Sequence, residues 1–516
     1  MDNKHVSKPL ACKATNRKNT LLNVILITLD AFNYELFVEN LEHLPNLAAL
    51  KGESAFFKNA FSVGPSTFFA FPGIIASVYP YHFGIGIHKS VKAIDRVLKD
   101  CGYNTAQIND LNVLLTAHFG YGTNTDYIKH ILNLPNVEKH RAIADTLLGK
   151  GDEEEAKRHL GPPHLLKKIY DKVDIKWIRN LEVYWLRVYR FLRFRLKEQS
   201  MSFHGRQKLY GEFRNEVLEF INGKFESPQF LWIHTCINHL PYFPPENSNE
   251  FDVHEIDYLN YRGLSEFVNP RICERLKRLY VESMKTTDKF IGDIVDALST
   301  NGLLDNSIIV ITADHGEEFM ERGYFGHSED SSSDRLLHVP LIFCGKSILE
   351  PRSISAPVST LDILPTICDL LGIGIPDSAR GLSLKETLLN NTNNSKDYQE
   401  LWQRPLFSEG WESEGLLTRS SGHESNKKIF TVRKGPYKLK VLQEQRTDTK
   451  VVEKLELINW VSNEELDVKS NRQILEYLNY LLHDHIYKEG IFAKRIKNEA
   501  ETRRIKDALG RMRNKL

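Results

Sequence analysis

The sequence lacks an excess of charge of either sign, and it lacks long apolar runs. Its 516 residues carry 68 Lys and Arg against 67 Asp and Glu, a net charge of +1. Dedicated nucleic-acid-binding proteins usually carry a large basic excess, so we expect no nucleic-acid partner. The apolar run 21–29 is interrupted by Asn23 and Thr28 and is too short for a membrane-spanning helix. No small-residue cleavage site follows it, so we expect no signal peptide and a cytoplasmic protein.

Cysteine is scarce, and several familiar enzyme motifs are missing. The six cysteines are widely spaced and form no C-x-x-C pair, which argues against a disulfide framework or a zinc ribbon. We expect mostly buried free thiols, as in a reducing compartment. The sequence has no G-x-S-x-G of a serine hydrolase. Gly345-Lys346-Ser347 resembles the end of a P-loop, but Pro340 occupies the position of its first glycine.

Short apolar runs alternate with helical patterns along most of the chain. The runs 23–29, 230–234, 307–312 and 339–343 are rich in β-branched residues, which predicts strands that are buried on both faces. The stretch 276–298 has helical periodicity, and Asn301-Gly302 ends it. This alternation predicts an α/β fold with a mainly parallel sheet sandwiched by helices.

Two segments concentrate positive charge. Residues 138–224 have the pattern of a helical insert, and 167–197 within it contains ten Lys and Arg against three Asp and Glu. We favour a helical hairpin that packs its aromatic side chains on the body of the protein. The alternative is a basic amphipathic helix on an anionic membrane or polymer, which would make the protein membrane-peripheral. Residues 490–516 are predicted to form a solvated helix that docks through Ile496, Ile505 and Leu509.

Residues that bind hard metal ions follow two of the predicted strands. Asp30 comes directly after 23–29, and Asp314 and His315 come after 307–312 in the sequence TADHGEE. His327 follows twelve residues later in the sequence GH. An open α/β sheet places its site at the carboxyl ends of its strands, so these side chains are expected together. Asp and His in combination suit Zn²⁺ or Mn²⁺, although Asp30 taken alone is better explained as a helix cap.

Two hydroxyl residues, Ser66 and Thr67, follow a Gly-Pro turn in GPSTFFAFPG. Both side chains can cap a helix. Either can also act as a nucleophile if a metal lowers the pKa of the hydroxyl and the helix end stabilises an anion. The residues alone leave both interpretations open.

Six motifs, in this order, resemble the sulfatase-like branch of the alkaline phosphatase superfamily over residues 22–372. They are NVILITLDA, PNLAAL, GPSTFFAFPGIIASVYP, HTCINHLPYFPP, ITADHGEEF with GYFGHSED, and LLHVPLIF. The resemblance implies an alkaline-phosphatase-like core with a small C-terminal sheet subdomain and C-terminal helices. The implied divisions are a flexible extension 1–20, a catalytic domain 21–375, an α+β subdomain 376–465 and a helical segment 466–516.

The resemblance also implies roles for individual residues. It implies one divalent metal ion (Zn²⁺, Mn²⁺, Mg²⁺ or Ca²⁺), with the ligands Asp30, Asp314, His315 and Thr67. It places Thr67 at the position of the nucleophile and Ser66 beside it in the substrate site. Two further histidines are implied at the substrate, His239 at the leaving group and His327 at the non-bridging oxygens. His338 is assigned to the layer of residues behind the metal ligands.

The family's sulfatase signature, Cys/Ser-x-Pro-Ser/Ala-Arg, is absent. Thr67 is followed by Phe68-Phe69-Ala70-Phe71, so neither the modified cysteine nor its neighbouring arginine is present. Formylglycine chemistry is therefore not expected.

Two departures from the family's pattern concern the number of metal ions. Ala31 follows Asp30 where many sulfatases have a second Asp, and Thr235 stands where two-metal relatives have an Asp. A second metal would then have only His239 and His327. One tightly held ion is therefore the expectation.

The resemblance and its departures together predict a hydrolase or transferase of phosphate or sulfate esters that works through a covalent Thr67 ester. Phosphate is favoured, because the hydrated aldehyde of sulfatases helps to release sulfate by elimination and threonine cannot do this. The expected partner is an anionic ester linked to a glycan or a lipid. One alternative is a sulfuric ester hydrolase without formylglycine. The other is a non-catalytic scaffold that binds anionic glycan or lipid surfaces, against which the intact metal ligands argue.

Overall fold

The computed structural model describes residues 22–110, 112, 114–131, 202–223, 228–264, 268–321, 323–328, 331–390, 396–412, 425–447 and 450–513. The predicted extension 1–20 and the basic segment 167–197 lie outside these residues. Of the predicted insert 138–224, only a helix at its carboxyl end falls within them.

A nine-stranded sheet forms the centre of the fold, and a two-stranded hairpin lies beside its carboxyl edge. The strands, in chain order, are β1 (Asn23–Leu29), β2 (Ala55–Phe61), β3 (Asn104–Asp110), β4 (Tyr127–Ile131), β5 (Gln229–Thr235), β6 (Ser307–Ala313), the hairpin strands β7 (Glu318–Phe319) and β8 (Phe325–Gly326), β9 (His338–Cys344), β10 (Arg352–Ile354) and β11 (Val358–Ser359). The order in the sheet is β10-β2-β9-β6-β1-β5-β3-β4, and β11 pairs with β2. β9 runs antiparallel to both neighbours, and the other pairings are parallel. The predicted mainly parallel sheet is confirmed.

The four strands predicted from apolar runs are β1, β5, β6 and β9. All seven residues of β1 are buried, as are all seven of β6. Central parallel strands are covered by helices on both faces, which explains why their sequences are apolar throughout rather than alternating.

Helices flank this sheet, and a long helix ends the chain. They are α1 (Tyr34–Glu39), α2 (Pro45–Glu53), α3 (Thr67–Ala76), α4 (Pro80–Phe83), α5 (Ile94–Asp100), α6 (Phe203–Asn222), α7 (Val253–Gly263), α8 (Pro270–Thr300), α9 (Asp334–Leu337), α10 (Ile363–Leu370), α11 (Lys385–Leu389), α12 (Lys396–Gln403) and α13 (Arg472–Arg513). α8 contains the predicted helix 276–298, and the Asn269 side chain caps it by accepting from the Ile272 amide at 3.0 Å. Within the described part of the chain, no helix is long and apolar enough to cross a bilayer.

A second sheet of five antiparallel strands follows the first along the chain. Its strands are β12 (Leu406–Trp411), β13 (Lys427–Lys434), β14 (Tyr437–Thr447), β15 (Lys450–Asn459) and β16 (Glu464–Leu466), and they lie in this order in the sheet. This is the small sheet expected near the C-terminus.

The first strand of the small sheet, β12, packs on the segment that leads into α3. The ring of Trp411 is fully buried, and its centroid lies 4.2 Å from that of Phe69 in α3. The Glu409 amide donates to the Val63 carbonyl at 2.7 Å, and the Ser408 hydroxyl donates to the Ser62 carbonyl at 2.7 Å. The small sheet therefore holds α3 in place on the large one.

The C-terminal helix α13 docks through buried polar contacts. The Glu409 carboxylate accepts from the Tyr81 amide at 2.8 Å and lies 2.9 Å from His485 Nε2. Glu489, also on α13, pairs with Arg380. Ile496 is 5% exposed, which confirms its predicted docking. The side chains of 505 and 509 lie outside the described residues.

The described cysteines are free thiols, as predicted. Four are buried and Cys101 is half-buried, with the buried ones being Cys236, Cys273, Cys344 and Cys368. Cys12 lies outside the described residues.

The packing of Trp411 on Phe69 predicts a large loss of stability in Trp411→Ala. Removal of a buried aromatic side chain leaves a cavity as well as lost apolar contact, and it typically costs about 3–5 kcal/mol. Urea unfolding should show this decrease in the free energy of unfolding. Trp402→Ala is the matched control because Trp402 is only partly buried, and its loss should be clearly smaller. Equal losses in the two variants would contradict the role given to the small sheet.

Candidate active site

Two aspartates meet at the carboxyl edge of the large sheet. β1 and β6 are parallel neighbours in which Leu29 is paired with Ala313, and an aspartate follows each strand. Asp30 is 1% exposed and Asp314 is fully buried. Among the described residues, neither Asp30 Oδ1 nor Asp314 Oδ2 has a hydrogen-bond partner. Two buried carboxylates that each leave one oxygen unpaired form an arrangement that a cation would stabilise.

A left-handed residue fixes the turn after Asp30. Ala31 has φ 55°, a conformation that costs a non-glycine residue on the order of 1 kcal/mol. Its amide donates to Asp314 Oδ1 at 3.2 Å, and its carbonyl accepts from the Tyr280 hydroxyl at 2.7 Å. These two bonds hold the turn and orient Asp314, so that Oδ2 remains as the free oxygen.

His315 offers a nitrogen lone pair to the same space. Its Nδ1 lies 2.8 Å from the Gly316 carbonyl, and because a carbonyl only accepts, Nδ1 must carry the hydrogen. Nε2 then presents its lone pair, 3.7 Å from Asp30 Oδ1 and 3.6 Å from Asp314 Oδ2. The three side chains meet the distance requirement for a shared metal ion, with ligand atoms within 4.8 Å of one another.

Thr67 joins this group from the amino end of α3. Its Oγ1 lies 3.3 Å from His315 Nε2, and the positive end of the α3 dipole favours an anion at this position. Ser66 precedes the helix, but its side chain makes no capping bond. The Ser66 hydroxyl is buried and has no partner within the described ranges, so the cap interpretation of Ser66 is wrong.

The hairpin β7–β8 places a charged pair at the edge of this group. Glu318 is paired with Gly326, so Glu317 and His327 are the next opposed positions, and His327 Nδ1 lies 3.0 Å from Glu317 Oε1. Burial lowers the pKa of His327, but the Glu317 carboxylate outweighs it and raises the pKa to about 9. His327 is therefore a cation at neutral pH in this environment.

Gly316 permits the tight packing that carries the chain from the metal ligands to the hairpin. A Cβ on Gly316 would lie 1.9 Å from the Arg335 carbonyl oxygen, which no side chain tolerates. The Gly316 amide donates to the Leu336 carbonyl at 2.8 Å. This close approach explains the glycine in the sequence TADHGEE.

His239 lies beside His327, near the metal ligands. The ring centroid of His327 is 5.0 Å from that of His239 and 4.4 Å from that of His315. His239 Nδ1 donates to the Leu240 carbonyl at 2.7 Å, which leaves Nε2 as the nitrogen able to exchange a proton with a ligand. The structure thus brings together Asp30, Thr67, His239, Asp314, His315 and His327, and Ser66 precedes Thr67 in the chain.

The described contacts of His338 include none of these residues. Its Nε2 lies 2.7 Å from the Lys58 carbonyl, and its ring stacks on Tyr34 at a centroid distance of 3.7 Å. Phe61 covers it from another direction. These contacts give His338 a packing role between β2 and α1, and its assignment behind the metal ligands stays a prediction.

The pKa values of the two carboxylates are shifted in opposite directions. Burial and the charge of Asp30 hold the pKa of Asp314 well above its ordinary value. Burial also acts on Asp30, but His239 and His234 outweigh it and keep its pKa below the ordinary value. Burial and the His327 cation lower the pKa of His315 to about 3. A divalent cation among these side chains would let both carboxylates ionise, and the two unpaired oxygens, the imidazole and the hydroxyl fit one.

Sequence reasoning missed the residues that hold the other oxygen of Asp30. Asp30 Oδ2 lies 3.2 Å from Asn112 Nδ2, 3.3 Å from Cys236 Sγ and 3.4 Å from His234 Nε2. A signal for His234 existed, because it lies near the carboxyl end of predicted strand β5, opposite Thr28 of β1. Glu317 lay within TADHGEE but was given no role.

Phe71 stands where the family's signature has its arginine, and its surroundings are largely aromatic. Its ring centroid lies 5.5 Å from that of Trp232, 5.1 Å from that of His234 and 6.1 Å from that of Tyr121. The position is fully buried. Phe71 therefore packs α3 against β5.

Comparison with known proteins gives partial sequence matches. Arylsulfatase K of Bos taurus is 30% identical over 169 residues, which are 32% of this chain and 31% of that protein. Arylsulfatase K of Gallus gallus is 34% identical over 141 residues, which are 27% of this chain and 26% of that protein. The matched segments thus span about a third or less of the length of these relatives.

Structural and family comparisons extend further along the chain. A phosphonate monoester hydrolase from Silicibacter pomeroyi superimposes with a TM-score of 0.61 at 16% identity, covering 90% of this chain and 95% of that one. A 2-O GAG sulfatase does so with a TM-score of 0.60 at 16% identity, covering 91% and 92%. At such low identity these likenesses show the fold alone. The Sulfatase family matches residues 22–373, more than half of the sequence, and the chain belongs to that family.

Proposed function

We propose that the chain is a metal-dependent hydrolase or transferase of phosphate or sulfate esters, with Thr67 as the nucleophile and phosphate esters preferred. The observation that carries this proposal is the pair of buried, unpaired oxygens, Asp30 Oδ1 and Asp314 Oδ2. They face His315 Nε2, and Thr67 Oγ1 lies 3.3 Å from that nitrogen. Burying two carboxylate oxygens without partners costs free energy, which a scaffold without a bound cation would not recover.

Thr67 supplies the reacting oxygen. A divalent ion bound by Asp30, Asp314, His315 and Thr67 would lower the pKa of the hydroxyl and neutralise charge on the ester. The hydroxyl proton leaves to solvent, and Oγ1 forms a bond to phosphorus while the bond from phosphorus to the leaving oxygen breaks. Water or an alcohol then attacks the Thr67 ester and frees the side chain.

Two histidines act on the ester from outside the carboxylate pair. His327, a cation held by Glu317, binds non-bridging oxygens whose charge grows in the transition state. His239 keeps Nδ1 on the Leu240 carbonyl and gives a proton from Nε2 to the leaving oxygen. Water returns a proton to His239 when it attacks the Thr67 ester, and the freed Thr67 oxygen takes a proton back from solvent, so the cycle balances.

Phosphate is preferred because of the nucleophile. A threonine ester has no second hydroxyl that could expel sulfate, whereas water attacking at phosphorus releases a phosphate ester directly. The relatives named arylsulfatase K and the neighbour named a phosphonate monoester hydrolase support an anionic ester substrate. A sulfated glycan, suggested by the neighbour named a 2-O GAG sulfatase, is the second candidate.

The reaction class is tested with metal-stripped protein, assayed before and after reloading with Zn²⁺, Mn²⁺, Mg²⁺ or Ca²⁺. The substrates are a chromogenic phosphodiester, phosphomonoester, phosphonate monoester and sulfate ester. Turnover that depends on metal and is fastest on a phosphorus ester supports the proposal. Fastest turnover of the sulfate ester would show that sulfate esters, and not phosphate esters, are the preferred substrates. No turnover of any ester by metal-loaded protein would favour the scaffold.

The position of Thr67 predicts that Thr67→Ala lowers kcat/KM by about 10³-fold or more, because loss of a nucleophile removes the covalent route. Thr67→Ser keeps a hydroxyl in place and should retain measurable turnover. Ser66→Ala should still form the covalent intermediate, which quenched-flow mass spectrometry detects on the α3 peptide. If Ser66→Ala abolishes the intermediate while Thr67→Ala forms it, Ser66 is the nucleophile and the assignment is wrong.

The Glu317–His327 pair predicts a pH effect. Activity that needs the His327 cation is lost as pH rises through its pKa, which Glu317 raises to about 9. In Glu317→Gln, burial remains and the largest raising charge is gone, while Asp30 and Asp314 still raise the pKa of His327. The alkaline limit should therefore fall below that of the unsubstituted protein. The pH profile of kcat/KM measures this shift.

Glu318→Gln is the matched control for this pH effect. Glu318 is the adjacent buried carboxylate, and it accepts from the Ser331 hydroxyl at 3.1 Å. Its substitution should leave the alkaline limit in place. An unchanged limit in Glu317→Gln would show that His327 does not act as a cation.

A further inference from the structure

A second group of metal-binding side chains lies behind Asp30. The carboxylate has one oxygen, Oδ1, toward Asp314 and His315, and its other oxygen, Oδ2, toward His234 and Cys236. The ligand atoms of Asp30, His234 and Cys236 all lie within 4.8 Å of one another. The three residues are 1%, 0% and 5% exposed, so the group is closed to solvent.

The separations in this group are close to those of a tetrahedral ligand shell, with one slightly shorter and one slightly longer. His234 Nε2 lies 3.4 Å from Asp30 Oδ2, Cys236 Sγ lies 3.3 Å from that oxygen, and Sγ lies 3.8 Å from Nε2. Tetrahedral Zn²⁺, with bonds of about 2.0–2.3 Å, separates such ligand atoms by about 3.4–3.6 Å. The charge-assisted hydrogen bond expected between an imidazolium and a carboxylate is shorter, at about 2.7–2.9 Å.

Hydrogen bonds around His234 indicate which nitrogen offers a lone pair. The Thr28 hydroxyl accepts from the Trp232 indole at 2.9 Å, and it lies 3.3 Å from the Ile233 carbonyl, to which it can donate. His234 Nδ1 lies 3.0 Å from the same hydroxyl. In the neutral ring that donates from Nδ1 to this hydroxyl, Nε2 has no hydrogen and accepts from Asn112 Nδ2 at 3.2 Å.

This tautomer leaves two lone pairs opposed inside the protein. In this tautomer His234 Nε2 and Asp30 Oδ2 are both acceptors, 3.4 Å apart. The Asn112 amide lies 3.2 Å from each of them, and a cation would relieve the remaining repulsion between the two lone pairs. Cys236 supplies the third donor atom. A thiolate, an imidazole and a carboxylate together suit Zn²⁺ better than Ca²⁺ or Mg²⁺.

We propose that Asp30 Oδ2, His234 Nε2 and Cys236 Sγ bind a zinc ion, separate from the ion proposed at Thr67. Binding forms a zinc–sulfur bond, breaks the S–H bond that donates to the Asp110 carbonyl at 3.0 Å, and releases the thiol proton to solvent. Asp30 then bridges two cations, one on each oxygen. The buried ion would hold the carboxylate plane so that Oδ1 faces Asp314, which a rotating carboxylate could not guarantee.

Metal content and a cobalt spectrum test this proposal. The full-length chain is produced in medium with Zn²⁺ or with Co²⁺, and metal per chain is measured by mass spectrometry. Cys236→Ser keeps a hydrogen-bond donor but is a poor zinc ligand. We expect it to lose one metal equivalent per chain and the near-ultraviolet charge-transfer band of the cobalt–thiolate bond. Cys368→Ser, a control at another fully buried thiol, should keep both.

Asp314→Asn separates this inference from the proposed function. It weakens the ion at Thr67, so it should keep the cobalt–thiolate band even where ester hydrolysis fails. Equal metal content in wild type and Cys236→Ser, with no cobalt–thiolate band in either, overturns the inference and leaves a hydrogen-bonded cluster that orients Asp30. If Cys236→Ser does not fold, the wild-type cobalt spectrum decides, because Cys236 is the one cysteine in the metal-binding groups found among the described residues.

Discussion

The arrangement of this site depends on two carboxylates that the register of β1 and β6 brings together inside the protein. Asp30 and Asp314 are the first residues beyond two paired strands, so the sheet itself fixes their separation. Buried like charges raise the pKa of one partner unless a cation lies between them. The left-handed turn at Ala31 and the lone pair of His315 both border the space between the two carboxylates.

The two sheets position different reacting groups. The large sheet carries the carboxylates, whereas Thr67 depends on α3, which packs under Trp411 of the small sheet. The contact of Glu409 with His485 ties α13 to the same region. A change far along the chain can therefore displace the nucleophile while the metal ligands remain in place, since the two are held by different packing contacts.

The sequence alone was sufficient to predict the site residues that directly follow strands. Asp30 and His315 come after apolar runs, and parallel strands that are paired place such residues at one edge. His234 was missed because it lies inside a strand pattern, where a histidine is read as core. Cys236 was missed because spacing alone shows a buried thiol. The pairing of Glu317 with His327 depends on the register of a two-residue hairpin, which no periodicity reveals.

The most direct test of the account is equilibrium unfolding of wild type and Asp314→Asn, each stripped of metal and then reloaded with a divalent ion. Without metal, Asp314 must either carry a charge beside Asp30 or take up a proton on folding, and the amide avoids both costs. Asp314→Asn should therefore be the more stable protein at neutral pH. With metal, wild type gains the binding free energy and the order should reverse. If wild type is the more stable protein in both states, with no response to metal, the carboxylate pair does not bind a cation and the account is wrong.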